Sequence, residues 1–211
     1  ELELGPGQVK DCIEQHGIGF MYAPAFHRAM KHAIGPRKSL GIRTVFNLLG
    51  PLTNPADADR QLLGVFSERW VRPVADALRS LGVERAMVVH GQVGMDEISL
   101  SSETVCVEVE DGTLVDRTLT AKDFGLPSID VDDIAGGGLE TNKRISDNLL
   151  EGTAPTPVEA IVQANAGAVI YLAGEAESLE EGAERARDSI RSGEARNKID
   201  RLAEFTRTAG S

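Results

Sequence analysis

Residues 61–89 constrain the fold more than any other stretch. Residues 61–66 form an apolar run of strand length, and Ser67 is a residue type that caps helices. Trp70, Val74, Ala77, Leu78 and Leu81 recur on one helical face, Gly82 follows as a stop, and residues 86–89 are again strand-like. Strand, helix and strand within about thirty residues make a βαβ unit, whose strands run parallel in a sheet covered on both faces. The expected class is therefore α/β, with a mostly parallel central sheet flanked by helices. Ligands in such sheets bind at the carboxyl ends of the strands.

Just past the second strand comes His90-Gly91-Gln92-Val93-Gly94-Met95-Asp96-Glu97, a loop with two glycines that delivers two adjacent carboxylates. Residues 104–109 and 114–119, joined at Asp111-Gly112, alternate like a half-exposed antiparallel hairpin, an excursion from the parallel sheet. Gly136-Gly137-Gly138 introduces a helix over 139–150. Thr156-Pro157-Val158-Glu159 reads as a capping box opening a nearly all-apolar core helix, and Ser178-Leu179-Glu180-Glu181 as a second box. Charged helices over 179–191 and 195–207 follow. At the amino end, residues 8–16 suit a short amphipathic helix stopped by Gly17, and 18–22 suit a strand. From Ala25, Phe26, Met30 and Ile34 recur at helical spacing, and Gly35-Pro36, Gly50-Pro51 and Asn54-Pro55 interrupt the pattern.

Charge is distributed unevenly. The chain holds 33 acids in 211 residues and a net charge of −11, yet residues 18–56 contain no Asp or Glu. That window carries Arg28, Lys31, Arg37, Lys38 and Arg43, with His27 and His32 beside them. A cationic island inside an acidic protein concentrates a small anion, and Arg adds two-pronged recognition of carboxylate or phosphate. The overall negative field argues against nucleic acid and against an anionic membrane surface as partners. Cys12 and Cys106 lie far apart within apolar patterns, which suits reduced, buried thiols and a cytoplasmic setting. No apolar run of spanning length is present, and Glu1-Leu2-Glu3 is unlike an export signal.

Spacing alone leaves the acids ambiguous. Asp96-Glu97 could bind Mg²⁺ as hard oxygen ligands, but Asp132-Asp133 and Glu180-Glu181 are equally adjacent. A larger pattern separates them. The stretch from Ala23-Pro24-Ala25-Phe26-His27-Arg28-Ala29-Met30-Lys31-His32 through Arg37-Lys38-Ser39-Leu40-Gly41-Ile42-Arg43-Thr44 to Asn47-Leu48-Leu49-Gly50-Pro51-Leu52-Thr53-Asn54-Pro55 resembles the anthranilate phosphoribosyltransferases. Val89-His90-Gly91 and Gly94-Met95-Asp96-Glu97-Ile98-Ser99 continue the likeness, which extends over essentially the whole chain and is densest over 18–101.

The resemblance implies transfer of a phosphoribosyl group from phosphoribosyl pyrophosphate to anthranilate, an early step of tryptophan synthesis, with Mg²⁺ as cofactor. It also implies a nucleoside phosphorylase-like catalytic domain and a cytoplasmic homodimer. By the same likeness Arg37 would meet the anthranilate carboxylate, Ala23, His27, Met30, Gly50 and Pro51 would line the route to it, and Asp96 and Glu97 would hold the metal. The family also begins with a small helical domain and a loop of the type Gly-Thr-Gly-Gly-Asp, followed by a Lys-His-Gly-Asn-Arg stretch, none of which occurs here. The expectation is a carboxyl-terminal α/β catalytic domain over 1–211 that holds only part of the site, and in which helices over about 25–49 would pack on a further helical domain. Phe46, Leu48 and Leu49 would then suit an association surface. Two other readings stay open: a related nucleoside phosphorylase, and a non-catalytic binding domain of the same fold.

Overall fold

A computed structural model describes residues 4–26, 50 and 52–209. In chain order its elements are α1 (Pro6–His16), α2 (Ala23–Phe26), β1 (Arg60–Gly64), α3 (Val71–Ser80), β2 (Arg85–Gly91), β3 (Thr104–Glu110), β4 (Thr113–Leu119), α4 (Leu139–Leu150), α5 (Thr156–Leu172), α6 (Leu179–Arg191) and α7 (Glu194–Ala209), with short 3₁₀ turns between. The chain divides into two compact units, residues 1–55 with 193–211, and residues 56–192.

The larger unit holds the sheet, in the order β1-β2-β3-β4. β1 and β2 pair in parallel, Arg60 opposite Arg85 and Gly64 opposite Val89, with α3 as the crossover between them. This is the βαβ unit expected from the sequence. β3 and β4 then extend the same sheet as antiparallel neighbours, so the described strands form one parallel and two antiparallel pairs. The hairpin turns at Asp111 (φ 46°) and Gly112 (φ 77°), left-handed at both positions, which suits the twist of a two-residue connection. β3 is largely buried and β4 largely exposed, giving the half-exposed hairpin its pattern.

Successive side chains of β2 point to opposite faces. Met87 and Val89 join a core with Ile98, Leu100, Cys106, Phe124 and, from α5, Ile161, Ala164, Ala168 and Leu172. Ala86 and Val88 are likewise fully buried, on the side where α3 packs against β2 and β3. The buried face of α3 is Val71, Val74, Ala75 and Leu78, whereas Leu81, expected on that face, is 62% exposed because the helix has ended before it. The carbonyls at the end of α5 are met by guanidinium groups of the sheet: Arg85 Nη1 donates to Tyr171 O at 3.1 Å, and Arg60 Nη1 donates to Leu172 O and Ala173 O. Cations at a helix carboxyl end are favoured by its dipole and unpaired carbonyls.

Two capping expectations change. Thr156 is the first residue of α5 rather than its cap, and Pro155 precedes it with no side-chain cap bond. Glu159 is instead drawn along the helix to Gln163 Nε2 at 2.9 Å. At α6, Ser178 Oγ does accept from the Glu181 N–H at 3.1 Å, but the Glu181 carboxylate reaches one residue further back, to the Glu177 N–H.

In the smaller unit α1 ends at Gly17 (φ 70°), whose N–H donates to Ile13 O at 2.8 Å. α1 packs on α7 through the edge-on rings of His16 and Phe205, 5.5 Å apart, and through Lys198 Nζ donating to His16 O at 2.6 Å. Residues 18–22, expected as a strand, form no regular element. They lie against α1 so closely that a Cβ on Gly19 would sit 2.6 Å from Ile13 Cγ1, and among the described residues no strand pairs with them. The helix expected from Ala25 falls largely outside the described residues, as do Phe46, Leu48 and Leu49. Both cysteines are free and buried, as expected.

Candidate functional site

β1 ends at Gly64 and β2 at Gly91, side by side at the carboxyl edge of the parallel pair. His90 Nδ1 donates to Val65 O at 2.8 Å, and the Val65 N–H to Val89 O at 2.9 Å, so the two strand ends are tied just beyond the ladder. The chain then turns back on itself: the Gly91 N–H donates to Met95 O at 2.9 Å, and the Gly94 N–H to Gly91 O at 2.8 Å. Gly94 has φ 93°, a conformation that disfavours any side chain.

This reversal throws Asp96 and Glu97 back over the strand ends. A Cβ on Gly64 would lie 1.6 Å from Asp96 O, and one on Gly91 would lie 2.9 Å from Ser99 Cβ and 3.2 Å from Glu97 O. Two glycines are therefore needed where β1 and β2 finish, because the acidic segment rests directly on their backbone. Beyond the acids, the Ile98 N–H donates to Asn165 Oδ1 at 3.0 Å, and Asn165 Nδ2 donates to Ile98 O at 3.0 Å. Ser99 continues the anchoring: its N–H donates to Thr104 Oγ1 at 2.9 Å, and its Oγ accepts from the backbone of Ser101 and Ser102.

The backbone is held, yet the carboxylates are not engaged. Both side chains are exposed, and among the described residues neither has a hydrogen bond or an ion pair. Partial withdrawal from water and then the neighbouring charge of Asp96 push the Glu97 carboxyl above its ordinary range. Two repelling carboxylates on a fixed support fit a hard divalent cation. Among the described residues no cluster of three or more potential ligands exists, so an ion here would take one or two protein ligands and the rest of its shell from water and substrate oxygens. That is the ordinary manner of Mg²⁺.

Of the residues expected at the anthranilate position, Ala23 begins α2 and Gly50 accepts at its carbonyl from the Thr53 N–H at 3.2 Å. A Cβ on Gly50 would meet nothing within 4 Å, so local packing does not demand glycine there. His27, Met30, Arg37 and Pro51 lie outside the described residues. The sequence reading missed Asn165, treating α5 as uniform core. A polar amide within so apolar a helix was the signal, since the amide needs a partner once the helix is buried. It also missed Glu108, 1% exposed on β3, which forms an ion pair with Arg117 Nε at 2.7 Å and accepts from the Tyr171 hydroxyl at 3.1 Å. Arg85 lies 3.8 Å from the same carboxylate. That cluster joins the sheet to α5.

Comparison with known proteins adds a lineage. The model of the glycosyl transferase family, a/b domain, matches residues 1–196. The chain is 50% identical over 202 residues to the anthranilate phosphoribosyltransferase of Haloarcula marismortui, covering 96% of this chain and 61% of that relative. It is 45% identical over 207 residues to that of Marinomonas sp., covering 98% and 60%. Among solved structures it is similar to the anthranilate phosphoribosyltransferase of Thermus thermophilus, with a TM-score of 0.90, 45% identity and coverage of 98% of this chain and 61% of the other. It is also similar to the Saccharomyces cerevisiae enzyme in complex with PRPP and Mg, with a TM-score of 0.88, 28% identity and coverage of 98% and 59%. The chain thus spans about three-fifths of the length of the curated relatives it matches.

Proposed function

The chain belongs to the glycosyl transferase family with the a/b domain, and from that premise we propose that it takes part in phosphoribosyl transfer from phosphoribosyl pyrophosphate to anthranilate. The products are phosphoribosyl-anthranilate and pyrophosphate, and the setting is tryptophan biosynthesis. The observation that carries this reading is the acid pair Asp96–Glu97, seated on Gly64 and Gly91 at the carboxyl edge of the parallel strands, its carboxylates unengaged among the described residues. Asp96 and Glu97 would hold Mg²⁺, which when bound supplies positive charge against the departing pyrophosphate. The two strand ends hold the backbone of the acid pair in place beforehand, so the ion has only the two side chains left to order.

For the acceptor, Arg37 would grip the anthranilate carboxylate with its planar fork, and Ala23, His27, Met30, Gly50 and Pro51 would line the approach. The acid-free window over 18–56 supports this assignment, since both substrates are anions. Chemistry by side chains is a small part of the reading: pyrophosphate is already a good leaving group, so charge neutralisation and placement of the amine dominate. The reading extends to a carboxyl-terminal catalytic domain whose segment 25–49 packs on a helical domain, working as a cytoplasmic homodimer. The buried free thiols support the cytoplasmic part of it. Among the described residues no helix is long and apolar enough to cross a membrane.

The test is loss of anthranilate fluorescence with phosphoribosyl pyrophosphate and Mg²⁺, using this chain joined to the remaining two-fifths of the Haloarcula relative. Turnover that disappears with Arg37→Lys or with Asp96→Asn plus Glu97→Gln supports the assignment. Phosphorolysis of inosine or thymidine in place of that turnover would favour a nucleoside phosphorylase.

A further inference from the structure

Asn165 lies on α5, 67 residues beyond Ile98, and makes three bonds of 3.0 Å: Oδ1 from the Ile98 N–H, and Nδ2 to Ile98 O and to Ile161 O. Both amide protons are used, one on the loop and one on the preceding turn of its own helix. Pairing with the N–H and the carbonyl of one residue copies what a neighbouring strand would do, at a residue that pairs with none of the described strands. The consequence runs through covalent geometry. The Ile98 N–H lies in the planar peptide unit that begins at the Glu97 Cα, so fixing that N–H fixes the plane from which the Glu97 side chain departs. On the other side of the pair, the Asp96 carbonyl is pressed on Gly64. The two acids are thus held from both ends while their carboxylates have no partner among the described residues.

We propose that Asn165 is a positioning residue for the divalent cation: by clamping Ile98 it sets where Glu97, and with it Asp96, presents its oxygens. The inference rests on the metal reading of that pair. Groups that orient metal ligands are worth about 10- to 100-fold in affinity where they have been removed from other sites. A residue that merely satisfied the buried Ile98 backbone would affect the folding equilibrium and leave the affinity of the folded chain alone.

The experiment is titration of this chain with Mn²⁺, followed by the electron paramagnetic signal of the free ion, at a temperature where each variant is folded. Asn165→Ala removes all three bonds. Asn165→Ser, whose hydroxyl can turn back to Ile161 O but cannot reach Ile98, replaces it if the alanine variant does not fold. Either is expected to weaken Mn²⁺ uptake about tenfold and to speed exchange of the Ile98 amide proton. Tyr171→Phe, on the same helix as Asn165, cuts the hydroxyl's bond to Glu108 of β3 and is expected to lower stability with no change in Mn²⁺ uptake. If the Asn165 variants bind Mn²⁺ like the wild type while Asp96→Asn plus Glu97→Gln loses it, the positioning role is overturned and the metal site stands. If the wild-type chain takes up no Mn²⁺ in the millimolar range beyond what added pyrophosphate itself binds, the metal reading falls and the inference falls with it.

Discussion

Glu180 and Glu181 open α6 in its first turn, where the helix dipole favours negative charge. Glu181 spends its carboxylate on its own surroundings: one oxygen accepts from the Glu177 N–H at 2.8 Å, the other from Arg185 Nε and Nη2 at 3.0 and 2.8 Å. The backbone bond first, and Arg185 next, hold its carboxyl below the usual glutamate range. Asp96 and Glu97 are just as adjacent, but they sit on a loop where no described cation pairs with them, and Glu97 is pushed the opposite way. One pair is a finished interaction that stabilises a helix start. The other keeps its charge unspent on a rigid seat. Adjacency says nothing about which is which; the surrounding donors decide, and an acid pair left without them at a strand edge is available to a ligand.

The comparison breaks most readily in activity. In the joined enzyme, Asp96→Asn plus Glu97→Gln should lower turnover about 100-fold or more, the scale of several kcal/mol of lost charge stabilisation, while Glu180→Gln plus Glu181→Gln leaves it unchanged. Equal losses from both pairs, measured by anthranilate fluorescence, would erase the distinction. Gly64→Ala sharpens it further, because the new methyl would occupy the place of Asp96 O. We expect a loss of about 1–3 kcal/mol in urea unfolding together with weaker Mn²⁺ uptake. An unperturbed variant would mean the seat is not tight.

Stability provides smaller effects. Because the folded-state pKa of Glu181 is depressed, its contribution is present above the ordinary glutamate range and is lost as the pH falls through the lower folded value. Glu181→Gln should therefore flatten the acid limb of the thermal midpoint profile, and an unchanged limb would show that other carboxylates govern it. The smallest effect is a protection. Burial first, and the charge of Glu108 next, push the Cys106 thiol up to about 12, so it should not react with a disulfide reagent at about pH 8 until the chain unfolds. Fast labelling of the native chain would contradict the buried position of β3.

Much of this was legible from residue pattern. The apolar run before Ser67, the face through Val74 and Leu78 and the strand at 86–89 lead to the parallel pair because burial on both sides leaves little choice of element. Asp111-Gly112 marks the hairpin because few other pairs accept left-handed backbone at both positions. What failed was tertiary. Residues 18–22 look like a strand, but strands need partners, and α1 receives this segment through Gly19 instead. Thr156 and Glu159 have capping-box spacing, yet Pro155 takes the cap position and Glu159 turns to Gln163. In the site, the glycines and acids of 91–97 were visible as composition. The need for Gly64 and the clamp from Asn165 were not, since each depends on a residue more than thirty positions away.

The most direct measurement is Mn²⁺ titration of the wild-type chain, of Asp96→Asn plus Glu97→Gln, and of Glu180→Gln plus Glu181→Gln, each with pyrophosphate present to complete the ion's shell. The account predicts saturable uptake by the wild type and by the helix-pair variant, and none above pyrophosphate alone for the loop-pair variant. Uptake that survives loss of Asp96 and Glu97 would contradict it.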